Sequence, residues 1–569
     1  MGVLLVLVVL AAPLAAADSD VHARYVLDAM LRYSPEAASG LGLEQYDAQV
    51  SDLSDASRRD AQAAGRRVLQ ELRKRLRKEQ DPRTRQDLEI LIDSTAETLR
   101  EQELNDRYIL PYLNVARTVF GGVRGLLDDQ VAESRRPAAL TRLRRYAGME
   151  PGTRPIAETA RQRLAAAMKN AKLAGPYRKS VEQDLAQAGF FLDGLGQLFA
   201  KYKIAGYEEP LQTLRRQVDE YHAFVRDSVL PRARETHVLP APVYQHALRH
   251  YGVDIPAPEL TRMAREAFAA LQVRAGDVAA RVAEVRGWRS RDYRDVIRQL
   301  KKEQLDNDTI LDHYRQRLAE IEAIVRREDL VTLPERPARI RLATPAESAG
   351  QPAPHMRPPR LIGNTGESGE FVLPMRIPDA SGQTEGYDDF TFAAASWTLS
   401  VHELRPGHEM QFAALIENGV SLTRAIFAFN STNVEGWGLY SEAIMQPFMP
   451  LEGQLISLQH RMMRAARAFL DPGLQAGQVT PEEAGRILRE DVVLSPAMAR
   501  QEVDRYTFRS PGQATSYFYG YTRLMELRKD VEARLGGRFE AKRFHDFILA
   551  QGLLPPALLR KAVSAEFLR

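Results

Sequence analysis

Residues Ser396–Gly419, "SWTLSVHELRPGHEMQFAALIENG", contain the pattern on which the interpretation of the chain depends. Glu403 directly follows His402, and a second histidine, His408, comes six residues after the first. In the zinc-peptidase signature His-Glu-x-x-His, the two histidines lie four residues apart and share one face of a helix. At a spacing of six, an ideal helix leaves them about 120° apart around its axis, which is too far for one metal ion.

Pro406 and Gly407 lie between the two histidines and change this conclusion. Proline has no N–H to donate to the carbonyl of His402, and glycine tolerates the dihedral angles of a bulge. Without this pair of residues, the sequence is His-Glu-x-x-His again. We therefore hypothesise one metallopeptidase helix with a two-residue bulge that restores the facing of its ligands. The alternative is that Gly407 ends one helix and His408 begins the next.

A hydrolytic zinc site needs three protein ligands and one open position for water. The segment "NSTNVEGWGLYSEAI" offers Glu435 and Glu442, which are seven residues apart and therefore lie on one helical face. Glu435 would complete a set of two histidines and one glutamate. Glu442, two turns further along, could orient one of the ligands.

A second histidine pair, His246 and His250 in "QHALRH", has the spacing of four that the first pair lacks. No glutamate follows the first histidine of this pair. We interpret the pair as part of a solvated helical face, and metal binding is the alternative.

Helical periodicity covers the chain on both sides of an irregular stretch. Apolar residues recur at helical spacing from Asp18 to about Leu330, as in "VLQELRKRLRKEQD". Proline- and glycine-rich sequence follows at about 334–386, where "RIRLAT" and "EFVLP" are short enough to be strands. We predict a mainly α-helical protein with a small irregular or β-containing insert. The predicted divisions are a helical half at 18–330, the insert at 331–389, and a helical half at 390–569 that carries the metal site.

The N-terminus has the pattern of a secretory signal. An apolar run at Val3–Leu10 is followed by Leu14–Ala17 and then Asp18, which predicts a signal peptide, residues 1–17, cleaved after about Ala17. One alternative is an uncleaved anchor, but roughly 15 residues of helix span only about 22 Å of a hydrocarbon core of about 30 Å. The other is a buried core helix. We expect a periplasmic or secreted protein with no stable membrane insertion after cleavage.

The amino-acid composition excludes several kinds of functional site. The 569 residues include no cysteine, which excludes disulfides, thiolate metal sites and a cysteine nucleophile. A metal ion would therefore have to be bound by histidine and carboxylate. With 78 basic and 75 acidic residues the net charge is +3, and nothing in it favours nucleic acid as a partner. Neither a Gly-x-Ser-x-Gly elbow nor a phosphate-binding loop motif is present.

Three blocks of sequence carry a family resemblance. "HELRPGHEMQ", "EGWGLYSE" and "EVDRYTFRSPGQATSYFYG" resemble the bacterial family called domain of unknown function 885, and the likeness extends from about Val21 to the C-terminus. That family is treated as a relative of the gluzincins, the zinc peptidases with two histidines and a glutamate. The resemblance implies a large, mostly helical metallopeptidase-like superdomain whose cleft is walled by helices and holds one zinc ion.

The resemblance also implies roles for particular residues. His402, His408 and Glu435 would be the zinc ligands, and Glu403 the general base. From the third block it implies a set of cleft residues, namely Arg505, Tyr506, Gln513 and Tyr517. Gly438 departs from the alanine that the family tends to have, which we expect to affect packing more than chemistry.

These roles give a mechanism of peptide hydrolysis. Zinc lowers the pKa of water toward about 7, and Glu403 takes the proton as that water attacks a peptide carbonyl. Tyr517, or else Tyr506 or Tyr519, would donate to the oxyanion, and Arg505 would bind a substrate carboxylate. The strand "EFVLP" could pair with an extended peptide substrate, and the alternative is an internal strand.

The sequence therefore predicts an exported zinc-dependent metallopeptidase. One alternative is a metal-dependent hydrolase of a non-peptide amide or ester, which the same residues would serve. Another is a non-catalytic periplasmic protein that binds peptides in the same cleft. The complete set of ligands together with Glu403 argues against this last alternative, because a binding protein needs no general base.

Overall fold

The computed structural model describes residues 19–378 and 384–568, so the predicted signal peptide lies outside the described residues. As predicted, the described chain is mainly α-helical with a small sheet. The helices are α1 Asp20–Met30, α2 Pro35–Leu41, α3 Asp55–Leu76, α4 Pro82–Tyr108, α5 Val115–Arg124, α6 Ala138–Tyr146, α7 Ile156–Ala167, α8 Arg178–Lys201, α9 Glu208–Phe224, α10 Ala241–His250, α11 Ala257–Arg286, α12 Tyr293–Leu300, α13 Ile310–Arg327, α14 Pro345–Gly350, α15 Ala395–Glu403, α16 His408–Glu417, α17 Ser431–Met445, α18 Leu451–Gln475, α19 Pro481–Glu490, α20 Pro496–Asp504, α21 Thr515–Leu535, α22 Ala541–Ala550 and α23 Pro556–Ala562. The strands are β1 Arg339–Leu342, β2 His355–Arg357, β3 Glu370–Leu373, β4 Arg376–Pro378 and β5 Thr384–Gly386.

Helices that are far apart in sequence share the largest hydrophobic core. α11 packs along α18, where Phe268 contacts Phe469 edge to face with ring centroids 5.5 Å apart. α10, α12, α15 and α20 contribute apolar side chains to the same core. Helices that precede and follow the β-containing segment are therefore held together by one buried surface.

Smaller cores surround this one. α5 to α9 pack together with α14, while α1, α3 and α4 form a separate helical group. α16, α17, α21, α22 and α23 pack around a third apolar cluster, to which α13 and α15 also contribute. Among the described helices, none is long and apolar enough to cross a membrane.

The described strands form one three-stranded sheet and one two-stranded sheet. β3 is central in the order β1-β3-β2, parallel to β1 and antiparallel to β2, while β4 pairs antiparallel with β5. The strands predicted in "RIRLAT" and "EFVLP" are confirmed as β1 and β3. β3 has a neighbouring strand on both edges, so it has no free edge with which to pair with a substrate. The interpretation of "EFVLP" as a substrate-pairing strand is therefore wrong, and the alternative, an internal strand, is right. The proline-rich segment "APHMRPPR", residues 353–360, contains β2, an edge strand.

The backbones of α17 and α21 touch where two glycines meet. A Cβ atom on Gly520 would lie 1.9 Å from the carbonyl oxygen of Thr432, and one on Gly436 would lie 2.6 Å from the backbone of Gly520. Only glycine allows so close an approach. The contact places the helix that carries Glu435 directly against the helix that carries Tyr517.

We expect Gly520→Ala to destabilise the protein, because the added methyl group forces α17 and α21 apart. Overpacking of this kind costs about 1–3 kcal/mol. Gly276→Ala is the matched control, since Gly276 lies inside α11 with open space around its Cβ position. That control should gain about 0.5–1 kcal/mol from helix propensity. Thermal melting followed by circular dichroism measures both, and a Gly520→Ala variant that melts at or above the wild type would contradict the prediction.

Candidate metal centre

The two histidines of "HELRPGH" lie on two different helices. α15 ends at Glu403 and α16 begins at His408, so the hypothesis of one bulged helix is wrong and the alternative of two helices is right. A Cβ atom on Gly407 would lie 2.0 Å from the carbonyl oxygen of His402 and 2.2 Å from that of Val401. The start of α16 is therefore pressed against the last turn of α15. This contact brings the imidazoles together, with ring centroids 4.6 Å apart.

The two histidines converge on Glu435 from α17. Glu435 Oε2 lies 3.5 Å from His402 Nε2 and 3.3 Å from His408 Nε2. Ligand atoms that bind zinc tetrahedrally, at bond lengths of about 2.0–2.1 Å, lie about 3.3 Å from one another. Glu435 Oε2 is buried and has no hydrogen-bond partner. The three residues named from the sequence thus present a donor set that fits one zinc ion.

Glu442 holds the first histidine in position. His402 Nδ1 donates to Glu442 Oε1 at 2.7 Å, and Thr398 Oγ1 donates to Glu442 Oε2 at 2.7 Å. Burial raises the pKa of Glu442, but the charges of Arg464 and His402 lower it to about 2. Its carboxylate therefore fixes the orientation of the His402 ring, with Nδ1 toward Glu442 and Nε2 toward Glu435, so that Nε2 is the nitrogen left to bind a metal ion. This is the orienting contact that the sequence spacing suggested.

The negative charge of the carboxylates around His402 and His408 favours the binding of a cation. Burial lowers the pKa of His402, but the carboxylates of Glu435 and Glu442 raise it to about 9. Burial raises the pKa of Glu435, but its contacts with His402 and His408 bring that pKa well below its usual range. A divalent ion between these groups would compensate the same negative charge.

Glu403 lies beside the ligands and is held by the sheet. Its side chain is buried, and Glu403 Oε2 accepts a hydrogen bond of 2.7 Å from the backbone N–H of Met356 in β2. Burial is the largest influence on this carboxylate and raises its pKa. Glu403 is consequently a better proton acceptor than a solvated glutamate.

A cavity of about 530 Å³ opens onto these groups. Of the predicted cleft residues, three line it together with the ligands and Glu403, namely Arg505, Gln513 and Tyr517. Tyr506 does not, and its prediction as a substrate-binding residue is wrong. It is completely buried, and its hydroxyl donates to Glu502 Oε2 at 2.6 Å.

Tyr517 is placed beside the ligands. Its ring stacks on His402 at 6.3 Å between centroids, with 12° between the planes. Its hydroxyl oxygen accepts a hydrogen bond of 2.9 Å from Arg505 Nη2, which also donates to Gln513 Oε1. Arg505 is thus already engaged with neighbouring side chains. The other candidate donor, Tyr519, donates instead to Asp254 and does not line the cavity.

Sequence reasoning missed two arginines of α18 that line the cavity. Arg467 forms two hydrogen bonds of 2.7 Å with Glu502, and its guanidinium lies 4.5 Å from the centre of the Tyr517 ring. Arg464 lies 3.8 Å from Glu442 Oε1. Their sequence signal is the run "RMMRAARAFL", in which arginines recur every three residues within an apolar helix. Such a pattern indicates buried ion pairs rather than a solvated face.

The structure changes the sequence-based interpretation of two residues, Gly438 and His246. A Cβ atom on Gly438 would lie 2.6 Å from Cε1 of His402, so this position touches a candidate ligand as well as affecting packing. His246 is only 4% exposed, so the solvated-face interpretation is wrong for it, whereas His250 is exposed.

Comparison with known proteins gives a family and a fold. A sequence model described as "Bacterial protein of unknown function (DUF885)" matches residues 35–563. No curated protein matches the chain. A solved putative lipoprotein from Colwellia psychrerythraea is 19% identical with a TM-score of 0.75, and covers 97% of this chain and 99% of its own. A putative lipoprotein of unknown function from Shewanella oneidensis is 18% identical with a TM-score of 0.72, covering 96% and 100%. At these identities the likeness shows the fold alone.

We expect Glu442→Gln to weaken zinc binding about 10- to 100-fold, because the amide no longer supplies the charge that orients and polarises His402. Competition with a chromogenic chelator measures the affinity. Glu490→Gln is the control, since Glu490 is an exposed glutamate of α19. Equal zinc affinity in the two variants would contradict the role given to Glu442.

Proposed function

The chain belongs to the DUF885 family of bacterial proteins, and we propose that it is a zinc-dependent hydrolase that cleaves peptides. The observation that carries the proposal is the convergence of His402 Nε2 and His408 Nε2 on Glu435 Oε2, at 3.5 and 3.3 Å, beside the buried carboxylate of Glu403. When bound there, zinc would supply Lewis acidity that polarises a carbonyl and lowers the pKa of water toward about 7.

Glu403 is the general base in this proposal. Its burial raises its pKa, and the N–H of Met356 holds one carboxylate oxygen in place. The carboxylate accepts a proton from the water that attacks the peptide carbonyl. It then returns that proton to the amine as the carbon–nitrogen bond breaks, so that no other proton carrier is needed.

Tyr517 is the donor to the oxyanion. Burial is the main influence that keeps the pKa of its phenol above the ordinary value, so the hydroxyl stays protonated near neutral pH. Because the Tyr517 oxygen accepts from Arg505, its own hydrogen remains available for a second partner. Arg505 is therefore a positioning residue for Tyr517 in this scheme.

The cavity supports peptides as the substrate class. Apolar side chains of Phe412, Phe429 and Met463 line it together with polar groups such as Gln501 and Gln513. A volume of about 530 Å³ is in the range of pockets that enclose small ligands, which favours oligopeptides over folded proteins. A peptide backbone would find both apolar contacts and hydrogen-bonding partners here.

Export is the cellular context we infer. The two structural neighbours are described as putative lipoproteins, a class of exported proteins, and residues 1–17 have the pattern of a secretory signal. The 569 residues contain no cysteine to carry a lipid. We therefore propose a periplasmic or secreted enzyme released by cleavage after about Ala17.

Glu403→Gln should reduce hydrolysis of a mixed peptide library by about 10²- to 10⁴-fold, because the amide cannot accept the proton. Mass spectrometry of the digest gives both the rate and the position of cleavage. Zinc content should equal that of the wild type, since Glu403 is not a ligand. Glu490→Gln, at an exposed position of α19, is the control and should leave activity unchanged. The proposal is abandoned if the wild type takes up no zinc, or if Glu403→Gln cleaves as fast as wild type.

Tyr517→Phe should lower kcat about 10²- to 10³-fold with little change in KM, because the hydroxyl acts on the oxyanion and not on the bound substrate. Tyr519→Phe makes the same chemical change two residues further along α21, outside the cavity, and should leave kcat unchanged. Steady-state kinetics on a peptide found in the library digest makes the comparison. A rise in KM with an unchanged kcat would assign Tyr517 to substrate binding instead.

A further inference from the structure

A second group of candidate metal ligands lies between α4 and α10. His246 and His250 are four residues apart in α10, and Glu97 and Glu101 are four residues apart in α4, so each pair occupies one helical face. The ligand atoms of Glu101, His246 and His250 all lie within 4.8 Å of one another. Glu97 Oε2 lies 3.3 Å from His246 Nδ1. Two histidines and one glutamate from neighbouring helices thus face a common point, with Glu97 beside one of the histidines.

The imidazole of His246 has unused binding capacity. Only 4% of the residue is exposed, and both Nδ1 and Nε2 are buried without a hydrogen-bond partner. The contact with Glu97 lacks hydrogen-bond geometry. Leaving a buried polar group unpaired costs about 1–3 kcal/mol, and proteins rarely tolerate it without a reason. A cation bound to one ring nitrogen would remove that cost for the nitrogen that binds it.

We propose that Glu101, His246 and His250 bind a second zinc ion. Two imidazole nitrogens and one carboxylate oxygen are donors that zinc accepts in tetrahedral geometry, with water in the remaining position. The carboxylate of Glu97, 3.3 Å from His246 Nδ1, adds negative charge beside these ligands. Glu101 and His250 are exposed, so the ion can enter from solvent and these side chains can adjust around it.

The role of this second ion is structural. None of its three ligands lines the cavity that contains Glu403 and Tyr517, so the ion has no part in the hydrolysis proposed there. The ion would tie the C-terminal end of α10 to the middle of α4. It shares no residue with the set of His402, His408 and Glu435, so the two sites stand or fall separately.

The next residue, Tyr251, connects this site to the cavity. It lines the cavity of the metal centre, and its carbonyl oxygen accepts a hydrogen bond of 3.1 Å from Thr432 N in the first turn of α17. Gly252 follows with a φ of +93°, and a Cβ there would lie 2.3 Å from Thr432 Oγ1. The segment after His250 is thus fitted closely to the helix that carries Glu435. An ion that anchors His250 would hold this wall of the cavity in place.

The test is the zinc stoichiometry of the full chain after removal of metal by a chelator and equilibrium dialysis against zinc. The wild type should bind two equivalents. The double variant Glu101→Ala/His250→Ala removes two exposed ligands and should bind one, as should His402→Ala/His408→Ala. The quadruple variant should bind none. Glu103→Ala, an exposed glutamate of the same helix, is the control and should bind two.

Stability gives a second measurement. Zinc should raise the melting temperature of His402→Ala/His408→Ala, in which the second site is the remaining one, and not that of the quadruple variant. The proposal is overturned if Glu101→Ala/His250→Ala binds as much zinc as the wild type, whatever the amount. If the wild type binds one equivalent that only Glu101→Ala/His250→Ala loses, the second site stands and the proposed catalytic zinc does not.

Discussion

The backbone of Gly407 rests against the carbonyl oxygens of Val401 and His402, and the candidate metal centre depends on this contact. It lets α16 start directly beside the end of α15, so that two histidines on different helices face each other. α17 then brings Glu435 to the same point, and its crossing with α21 brings Tyr517 beside them. Each of these approaches has a glycine at its closest point, because a single Cβ atom would separate the partners.

Buried charge is the second organising feature, and it occurs in linked pairs around the cavity. Arg467 is bound to Glu502, while Glu442 contacts both Arg464 and His402. Burying charges costs desolvation free energy that their mutual attraction does not always offset. Such pairs are therefore weak evidence for a gain in the free energy of unfolding. What they do provide is fixed orientation: the guanidinium and carboxylate groups hold the rings of Tyr517 and His402 in one arrangement.

The sequence predicts the helical class, and it names His402, His408 and Glu435, which the fold brings together, because periodicity and residue type are local properties. Sequence-based prediction fails where packing between distant segments determines the exposure of a side chain or the pairing of a strand. His246 has the pattern of a solvated face, but packing against the rest of the fold buries it. Tyr506 lies in a π-helical turn, Arg505–Arg509, in which Arg505 and Arg509 line the cavity and Tyr506 is buried. β2 is three residues long and is followed by two prolines, so only its pairing with β3 reveals it as a strand.

The packing of α11 along α18 has a consequence for how the protein is made. The apolar face of α11 leaves the ribosome long before its main partner, α18, is synthesised, although the neighbouring α12 packs on part of it earlier. The nascent chain must therefore expose the rest of this surface until most of the polypeptide is complete, the condition in which chaperones protect growing chains from aggregation.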